Sequence, residues 1–574
     1  MKSILLLTLR VSCNLVGLLA LTLPPAFVEA AEKPGDPVQT GASEIEQLKR
    51  QIAAQQGQMD RLRRRLEEQQ TMLEAVLRSI ARPAGNETAS GLRQDGLTVQ
   101  SATPLPVVAP VGRIAPTQSS GQEPGRLGQS AEQPQPLSFG IGSAQITPVG
   151  FIDLTAYVRK GSLGSGLGTS FAGIPFENSV NGRLREVRLS SQGTRMGFRL
   201  DAPVRGARLL GYLESDFNGG VPGNMAVTGN SATWRLRLAW VNLSVGKLDV
   251  LGGQSWSLLT PNRRGVSALP ADLFTTQGLD PNQHVGLPWT RSPQLRVAYR
   301  AGRRWAVGLS LENPEQYIGG SAGAGVSVFP QQLAYAYAGQ LSSGAAALST
   351  PNAAPDLVVK VATDRSFAGR PVHVEAAGIM RQFRVYNPLT QATCGAAGGG
   401  GGLNASLEPL RHIRLLLNGL YSNGGGRYMI GLGPDLIIRG DGSPSPVRAF
   451  STIDGFELEA GRRTNVYAYY GGVYFQRNTA VDPAGGKAVG YGFAGSPSNH
   501  NRAIQQFTFG ISHTLWRDPQ FGGLQVNTQY SRVLRHPWDM PPDQPRSAQM
   551  HMLYLNLRYL WPGAPPAKLL TTDD

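Results

Sequence analysis

The sequence predicts an all-β protein, a sixteen-stranded antiparallel transmembrane β-barrel preceded by an N-terminal α-helical coiled coil. Composition is the first reason: 71 of the 574 residues are Gly and only 16% are charged, which is typical of strands joined by glycine-rich turns rather than of a soluble enzyme. The second is an alternation of apolar and polar residues from residue 146 onward. It runs in stretches of about 8–12 residues, the length of a tilted strand that crosses a bilayer. The third is an unbroken heptad pattern near the N-terminus.

Residues 1–30 are typical of a secretory signal sequence. Lys2 and Arg10 precede or flank a mostly apolar stretch over 11–23, and Ala30 completes a motif with small residues at the cleavage positions. We therefore expect cleavage after Ala30. No later apolar run is long enough to predict a membrane-spanning helix.

The heptad pattern predicts a coiled coil over residues 43–82. Steps of three and four alternate between its core positions, which are Ile45, Leu48, Ile52, Gln55, Met59, Leu62, Leu66, Gln69, Leu73, Val76 and Ile80. The pattern favours a self-associating parallel coil over an isolated amphipathic helix, and it leaves dimer and trimer open. Pro83 ends the helix, and the Pro-, Ser- and Gly-rich segment 83–139 predicts an extended linker.

The segment 140–561 predicts the barrel, and residues 562–574 form a C-terminal tail. The predicted strands are 146–158, 187–201, 207–217, 231–244, 247–255, 292–300, 303–312, 355–363, 371–384, 399–408, 411–422, 447–460, 464–476, 502–516, 520–534 and 546–561. Short turns alternate with long connections, as in barrels with tight periplasmic turns and long outer loops. Aromatic residues near strand ends predict an interfacial girdle, as at Tyr467, Tyr469, Tyr470, Tyr474 and Phe475.

Alternation assigns the faces of individual strands. Leu236, Leu238 and Trp240 are predicted to face lipid, opposite the polar face of Arg235 and Arg237. The glycine run 395–402 is interpreted as a flexible loop that holds Cys394, the one cysteine beyond the signal sequence.

A soluble secreted β-protein is the alternative to a barrel in the membrane. Many strands carry charge on their polar face, and an open sheet of this size leaves edges exposed. A closed barrel removes the edges and places the charged faces in a water-filled lumen. No repeat of propeller length is present in the sequence, so we favour the membrane barrel.

Six segments, taken in order, resemble a known family. They are VGFIDLTAYV from Val149, SSQGTRMGFRLDAP from Ser190, GYLESDF from Gly211, GGQSWSLL from Gly252, LENPEQ from Leu311 and PDLVVKVATD from Pro355. Together with the heptads they resemble the DcaP-like trimeric porins of Gram-negative outer membranes. The resemblance implies sixteen strands, a homotrimer, and small dicarboxylates or related organic anions as solutes. The chain departs from many outer-membrane barrels because a tail follows the final aromatic, Trp561.

The sequence offers no pattern for catalysis or metal binding. Its seven His residues are scattered without the spacing of a metal site, and no nucleophile motif or phosphate-binding loop stands in the required context. We expect no enzymatic activity, no cofactor and no nucleic-acid partner. An outer-membrane hydrolase would need a Ser–His pair on one face, and neighbouring strand residues such as Ser512 and His513 point to opposite faces.

The long connection 256–291 is the candidate constriction, because the corresponding loop of trimeric porins folds into the pore. Its predicted constriction residues are Arg263, Arg264, Asp272, Asp280, His284 and Arg291. A short helix is predicted from Pro270 to the glycine that follows PADLFTTQ. The alternative is an ordinary outer loop whose charges meet lipopolysaccharide.

Polar strand faces supply the predicted pore lining, namely Arg195, Arg199, Glu214, Asp216, Arg235, Arg237 and Arg296. The net charge is +15, and nearly all of the surplus lies beyond residue 139. Fixed guanidinium groups favour anions in a pore, although some can pair with Glu214 or Asp216 and stiffen the wall. We therefore expect a porin for small hydrophilic solutes, with a preference for small anions.

The expected surroundings follow from this interpretation. The barrel lies in the outer membrane of a Gram-negative bacterium, in contact with the lipid bilayer and lipopolysaccharide, and the coiled coil lies in the periplasm. The rival interpretation is an envelope-tethering structural or adhesive protein whose barrel is closed.

Overall fold

The computed structural model describes residues 137–562, except 220–231, 275–277, 303, 344–349 and 353. The predicted signal sequence, the coiled coil, all but the end of the linker and almost all of the C-terminal tail lie outside these residues. No helix among the described residues is long and apolar enough to span a membrane.

Sixteen wall strands, counted over the described residues, form a closed antiparallel barrel, which confirms the barrel part of the predicted fold class. They are β1 Ala144–Lys160, β2 Arg185–Ser190 with Arg195–Val204, β3 Ala207–Asp216, β4 Arg235–Val245, β5 Leu248–Trp256, β6 Arg291–Ala301, β7 Trp305–Glu312, β8 Asp356–Phe367, β9 Arg370–Asn387, β10 Ala392–Leu410, β11 Ile413–Asn423, β12 Arg448–Glu459, β13 Thr464–Phe475, β14 Asn501–Asp518, β15 Gly522–Pro537 and β16 Ala548–Leu560. Neighbours in sequence pair with each other, and β16 pairs with β1, where Phe151 lies opposite Leu560.

Small elements decorate this wall. The short strand Phe139–Ile141 pairs with β1. Two hairpins lie in the long connections, one formed by Leu436–Ile438 and Pro444–Pro446 and the other by Asn478–Val481 and Ala488–Tyr491. The α-helical turns are Val180–Arg183 and Ala334–Tyr337, and the 3₁₀ turns are Phe171–Gly173, Pro270–Asp272, Ser321–Gly323 and Gly426–Tyr428.

Strand β6 shows the alternation on which the barrel prediction rested. Leu295 and Tyr299 are 52% and 48% exposed on the outer face. Gln294 and Arg296 lie between such residues in sequence and are buried on the inner face. Period-two burial of this kind is what a wall between lipid and lumen imposes.

Strand β4 departs from the predicted faces. The pairing with β3 slips by one residue, because Glu214 lies opposite Leu238 and Ser215 opposite Leu236. Arg237 is the extra residue of this bulge, and it shifts the alternation beyond it. Leu238 and Trp240 are therefore buried inside the barrel, and the prediction that they face lipid is wrong.

The predicted aromatic girdle is wrong in part. Tyr470 and Tyr474 are exposed on the outer face, 44% and 41% respectively. Tyr467, Tyr469 and Phe475 are buried because they occupy the alternate, inward-facing positions of β13. A cluster of aromatic residues in the sequence therefore does not show which of them face outward from the barrel and which face inward.

The glycine run is strand rather than flexible loop. Residues 395–402 lie within β10 and pair with β9 along their whole length and with β11 from Gly399 onward, and Cys394 lies in the same strand. A Cβ atom at Gly398 would stand 2.9 Å from the Phe383 ring. The absence of side chains lets that aromatic ring lie across the strand, which is a packing use of glycine.

An apolar core joins the long connections at one end of the barrel. Phe171, Ala324, Ile437 and Tyr491 come from four such connections and are buried in one cluster. Backbone hydrogen bonds link them as well, for example from the amide of Gly325 to the carbonyl of Asn499 at 3.0 Å. The long connections therefore pack against one another at the end of the barrel from which they extend.

Candidate pore and constriction

The connection 257–290, here called the inner loop, lies inside the barrel. Inward-facing wall side chains bind its backbone: the amides of Leu258 and Leu279 donate to Glu312 and Gln529, both at 2.8 Å. The amide of Val285 donates to Gln506 at 2.9 Å. A buried loop must satisfy its backbone polar groups, and the polar inner wall supplies the acceptors.

The tip of the inner loop does not form the predicted helix. The described part of 270–279 holds a single 3₁₀ turn, Pro270–Asp272. Leu273 forms a bridge with Asn262 instead, and Arg263 Nε donates to the carbonyls of Leu273 and Phe274 at 2.9 and 2.8 Å. These contacts tie the loop tip back across the loop.

Two adjacent tip residues contact opposite walls. Leu273 packs with Leu238 and Trp240 of β4. Phe274 packs with Tyr467 and Tyr469 of β13. The inner loop is therefore a strap across the lumen, held by apolar contacts on both sides.

Arg263 is an anchor of this strap. Its guanidinium forms a two-pronged ion pair with Glu457 of β12, with Nη1 2.8 Å from Oε2. Tyr469 donates its hydroxyl to the same carboxylate. Arg263 and Glu457 are 7% and 1% exposed, so this charge is neutralised in the wall rather than presented to the lumen.

A second anchor, the Lys360 network, was not predicted from the sequence. Lys360 Nζ donates to the carbonyl of Thr260 at 2.8 Å and to Glu375 at 2.9 Å. His373 bridges Glu375 and Asp364, with ring nitrogens at 3.1 and 2.9 Å. Alternation could have found this group, because Lys360 and His373 stand between outward-facing valines such as Val359 and Val374.

Asp280 and His284 hold the loop near β13 and β16. Asp280 accepts from the amide of Thr169 at 3.2 Å and from the Tyr554 hydroxyl at 3.2 Å, and burial raises its pKa. His284 lies edge-on to Tyr469, and burial lowers its pKa to about 4. His284 is therefore neutral near pH 7.

Arg264 and Asp272 line open space instead. A cavity of about 1130 Å³ lies between the loop tip and the short-turn ends of β1–β7, and Arg264 also borders a second cavity of about 130 Å³. The charged residues around the larger cavity are Arg199, Asp201, Arg208, Asp249, Arg264, Asp272, Arg296, Arg300, Arg304 and Asp364. Six of these ten are arginines, so the lining is net basic.

Four predicted lining residues form one ion-paired cluster. Arg235 binds Asp216 through two contacts at 2.9 and 2.7 Å. Arg237 binds Glu214 at 2.6 Å and Asp216 at 2.7 Å. Two acids and two bases cancel, so this cluster stiffens the wall. Arg199 likewise pairs with Asp201 at 2.8 Å.

Three predicted residues have a guanidinium group that forms no ion pair among the described residues. Arg195 lies over the Phe151 ring at 5.4 Å and Arg291 over the Trp256 ring at 5.5 Å. Arg296 donates to the Trp256 carbonyl at 2.6 Å. Within the described part of the chain none of them forms an ion pair, and Arg264 does not either. These four guanidinium groups lie along the β2–β6 wall and the loop tip.

The described residues contain no group of three or more His, Cys, Asp or Glu side chains that could hold a metal ion. Charged groups in the lumen are instead arranged as ion pairs, anchors or free guanidinium groups.

Comparisons with known proteins agree with the barrel. No protein-family model and no curated protein matches the chain. The outer-membrane channel DcaP of Acinetobacter baumannii is 17% identical, with a TM-score of 0.52 over 74% of this chain and 99% of that chain. OprB of Pseudomonas putida is 11% identical, with a TM-score of 0.40 over 72% and 94% of the two chains, and OmpT of Vibrio cholerae is 10% identical, with a TM-score of 0.39 over 74% and 100%. The likeness to DcaP shows the fold, and it agrees with the resemblance expected from the sequence.

Proposed function

We propose that this chain is an outer-membrane porin that lets small hydrophilic solutes diffuse passively, with a preference for anions. The observation that carries the proposal is the set of four guanidinium groups that form no ion pair within the described part of the chain, on Arg195, Arg264, Arg291 and Arg296. Three stand on the wall beside the strap, and Arg264 stands on the strap itself.

The distribution of ion pairs supports this preference. Several carboxylates in the lumen are neutralised by ion pairs. Glu214 and Asp216 bind Arg235 and Arg237, and Glu457 binds Arg263. Around the larger cavity six arginines stand against four aspartates, so the charge that a passing solute meets there is net positive. Guanidinium groups bind carboxylates through paired hydrogen bonds, and a fixed positive lining raises the barrier for cations.

The finer parts of the proposal rest on the resemblance and on the sequence. We propose small organic anions such as dicarboxylates as solutes, a homotrimer as the assembly, and outer-membrane lipid and lipopolysaccharide as the surroundings. The coiled coil over 43–82 would lie in the periplasm. No catalytic step, cofactor or nucleic-acid partner belongs to this mechanism, since diffusion requires none.

One observation favours a second candidate, an envelope-tethering or adhesive protein with a closed barrel. The long connections share an apolar core around Phe171 and Tyr491. A core across one mouth restricts passage. Conduction separates the two candidates, because a closed anchor carries no ion current.

The test is single-channel recording with the full chain in planar bilayers. In a KCl gradient the reversal potential should have the sign for chloride over potassium and move toward zero at high salt, because the fixed charges are then screened. Small dicarboxylates should block or permeate at lower concentrations than neutral sugars of similar size. Cation selectivity would overturn the anion preference, and the absence of channels would favour the closed anchor.

A further inference from the structure

Four outward-facing arginines lie at or toward the long-connection ends of β12–β15. They are Arg448, Arg477, Arg502 and Arg532, here called the rim arginines, and all are exposed. None forms an ion pair in the part of the chain that the structure describes. The nearby carboxylate of Asp539 accepts the amide of Gly495 at 2.8 Å. The rim is therefore a patch of net positive charge on the outside of the barrel.

Two rim arginines converge on one indole. The guanidinium carbon of Arg477 lies 4.4 Å from the Trp538 ring centroid, and that of Arg502 lies 6.0 Å from it. Trp538 is itself fixed, because its ring nitrogen donates to the Phe475 carbonyl at 3.0 Å and the outward-facing Tyr474 packs edge-on against it. Stacking on a fixed ring holds both guanidinium groups close together with donors free.

An apolar surface continues from the rim arginines toward the short-turn end. Tyr470, Phe507, Phe509 and Ile511 point outward from β13 and β14 and are 39–47% exposed. Arg532, on β15, donates to Gln549 of β16 at 2.9 Å. The outer face thus combines basic groups at one level with an apolar strip directly beside them.

This combination matches an amphiphile that carries phosphate above acyl chains. Arginine on a lipid-facing wall costs about 2–4 kcal/mol at the bilayer midplane but only about 0–1 kcal/mol near the interface. Arg448, Arg477 and Arg502 lie at the ends of the strands, where lipid headgroups begin, and Arg532 lies deeper, opposite Phe507 of the apolar strip. Long connections mark the outer side of such barrels, so the headgroups that face the rim belong to the outer leaflet.

We propose that Arg477 and Arg502, with Trp538 between them, bind a phosphate group of a phosphorylated glycolipid of the outer leaflet, whose acyl chains lie along β13 and β14. This proposal rests on the outer-membrane location in the proposed function. Paired charge-assisted hydrogen bonds from each guanidinium hold the phosphate. Arg448 and Arg532 extend the positive surface to either side, so a second phosphate of the same headgroup can be bound.

The test compares the full-length protein with its Arg477→Gln/Arg502→Gln variant in detergent micelles titrated with bisphosphorylated lipid A or with the same lipid freed of phosphate. The wild type should bind the phosphorylated lipid at least about tenfold more tightly than the variant does, since hydrogen bonds to charged groups are worth about 1.5–3 kcal/mol. Affinity for the phosphate-free lipid should be equal for the two proteins. Native mass spectrometry measures both.

The matched control is Arg411→Gln/Arg462→Gln, which removes two exposed arginines from short turns at the other end of the barrel. It should bind phosphorylated lipid A as the wild type does. Should the double variant fail to fold, Arg477→Gln and Arg502→Gln are measured singly, and each should weaken binding severalfold.

Three results would overturn the proposal. One is equal binding of phosphorylated and phosphate-free lipid, and another is a loss of binding in the control variant as large as in the rim variant. The third is full competition by inorganic phosphate at the same concentration as the lipid, which would mean that free phosphate is the ligand. If the protein binds lipid A in this way but forms no channels, the lipid site is supported and the proposed porin function is contradicted.

Discussion

The two halves of the barrel interior differ in what fills them. In the filled half, lined by β9–β16, wall side chains such as Gln506 and Gln529 bind the backbone of the inner loop. In the open half, lined by β1–β7, a cavity of about 1130 Å³ remains. Both halves have polar side chains that point inward from the strands. These side chains form a packed interface where the strap lies against them and a solvent-accessible lining where it does not.

The halves also use charge differently. On the filled side Arg263 is neutralised by Glu457, and both are buried. On the open side Arg195 and Arg264 have no acidic partner among the described residues. Buried charges must be paired because desolvation is costly, whereas charges beside water can stay uncompensated and act on solutes. The comparison predicts that charge removal changes structure on one side and selectivity on the other.

Removing the anchor charge should have the largest effect. Arg263→Ala removes the closer of the two guanidinium groups that bind Glu457 and leaves Arg414, whose Nη1 lies 3.8 Å from Oε2. Losing hydrogen bonds to a charged group costs on the order of 1.5–3 kcal/mol, and the strap should detach from β12. Single-channel recordings should show a larger and noisier conductance. Arg264→Ala, one residue away and exposed, should keep the wild-type noise. Equal noise in both variants would mean that the ion pair does not hold the strap.

Removing open-side charge should change selectivity without disturbing the strap. Arg264→Gln and Arg296→Gln should each lower the chloride-to-potassium permeability ratio, by about twofold at 0.1 M salt, where the Debye length is about 10 Å. The difference from wild type should shrink at 1 M salt. Arg411→Gln, in a short turn, serves as the control. A reversal potential that stays at the wild-type value would remove these two residues from the solute path.

Single amides on the filled side should have a smaller effect. Gln506→Ala deprives the Val285 amide of its acceptor, at a cost of about 1–3 kcal/mol. Since other contacts still hold the strap, we expect more frequent closures with an unchanged mean conductance. Gln505→Ala alters the neighbouring residue on the other face of β14 and should leave the closures unchanged. Identical records for the two variants would argue against amide anchoring.

The smallest effect concerns pH. Burial lowers the pKa of His284 to about 4, below its unfolded value of about 6.5, so the unfolded chain binds a proton first. Stability from this residue is therefore complete above about pH 6.5 and is lost as the pH falls toward 4. Thermal unfolding of the wild type should show a slightly greater loss between pH 7 and pH 5 than that of His284→Gln. A greater loss in the variant would contradict this assignment.

Much of the barrel could be predicted because lipid and lumen impose opposite demands on neighbouring residues. In β6 this demand is visible at every position from Gln294 to Tyr299. It fails where backbone pairing overrides local pattern. The bulge at Arg237 reverses the faces beyond it, and residues 395–402 form a strand because β9 pairs with all of them and β11 pairs with Gly399–Gly402. Glycine has low strand propensity, so no local signal marks that strand.

The candidate site was harder to predict than the wall. Arg263 was expected to be a charge in the constriction, but its partner Glu457 lies 194 residues away, and no sequence spacing reveals such a pair. Asp280 and His284 were also expected to be charges of the constriction. Their partners are likewise distant in the sequence, as Tyr554 is from Asp280. Arg264 and Arg296 border the cavity. Their positions could be predicted because Arg264 lies near a loop tip and Arg296 lies in a strand without a bulge, where alternation gives the inward face. Their role in selectivity stays a prediction.

Closure of the ring has a consequence for biogenesis. Strand β1 pairs with β16, so Phe151 meets a partner, Leu560, that the ribosome makes about 400 residues later. Until then two strand edges carry unsatisfied amides and carbonyls, which invite pairing with other chains. Contacts of such sequence separation form slowly, so the nascent barrel must be kept from aggregating while it waits. The seam between the first and last strands is thus the step at which a chaperone or an insertion machinery can decide the fate of the chain.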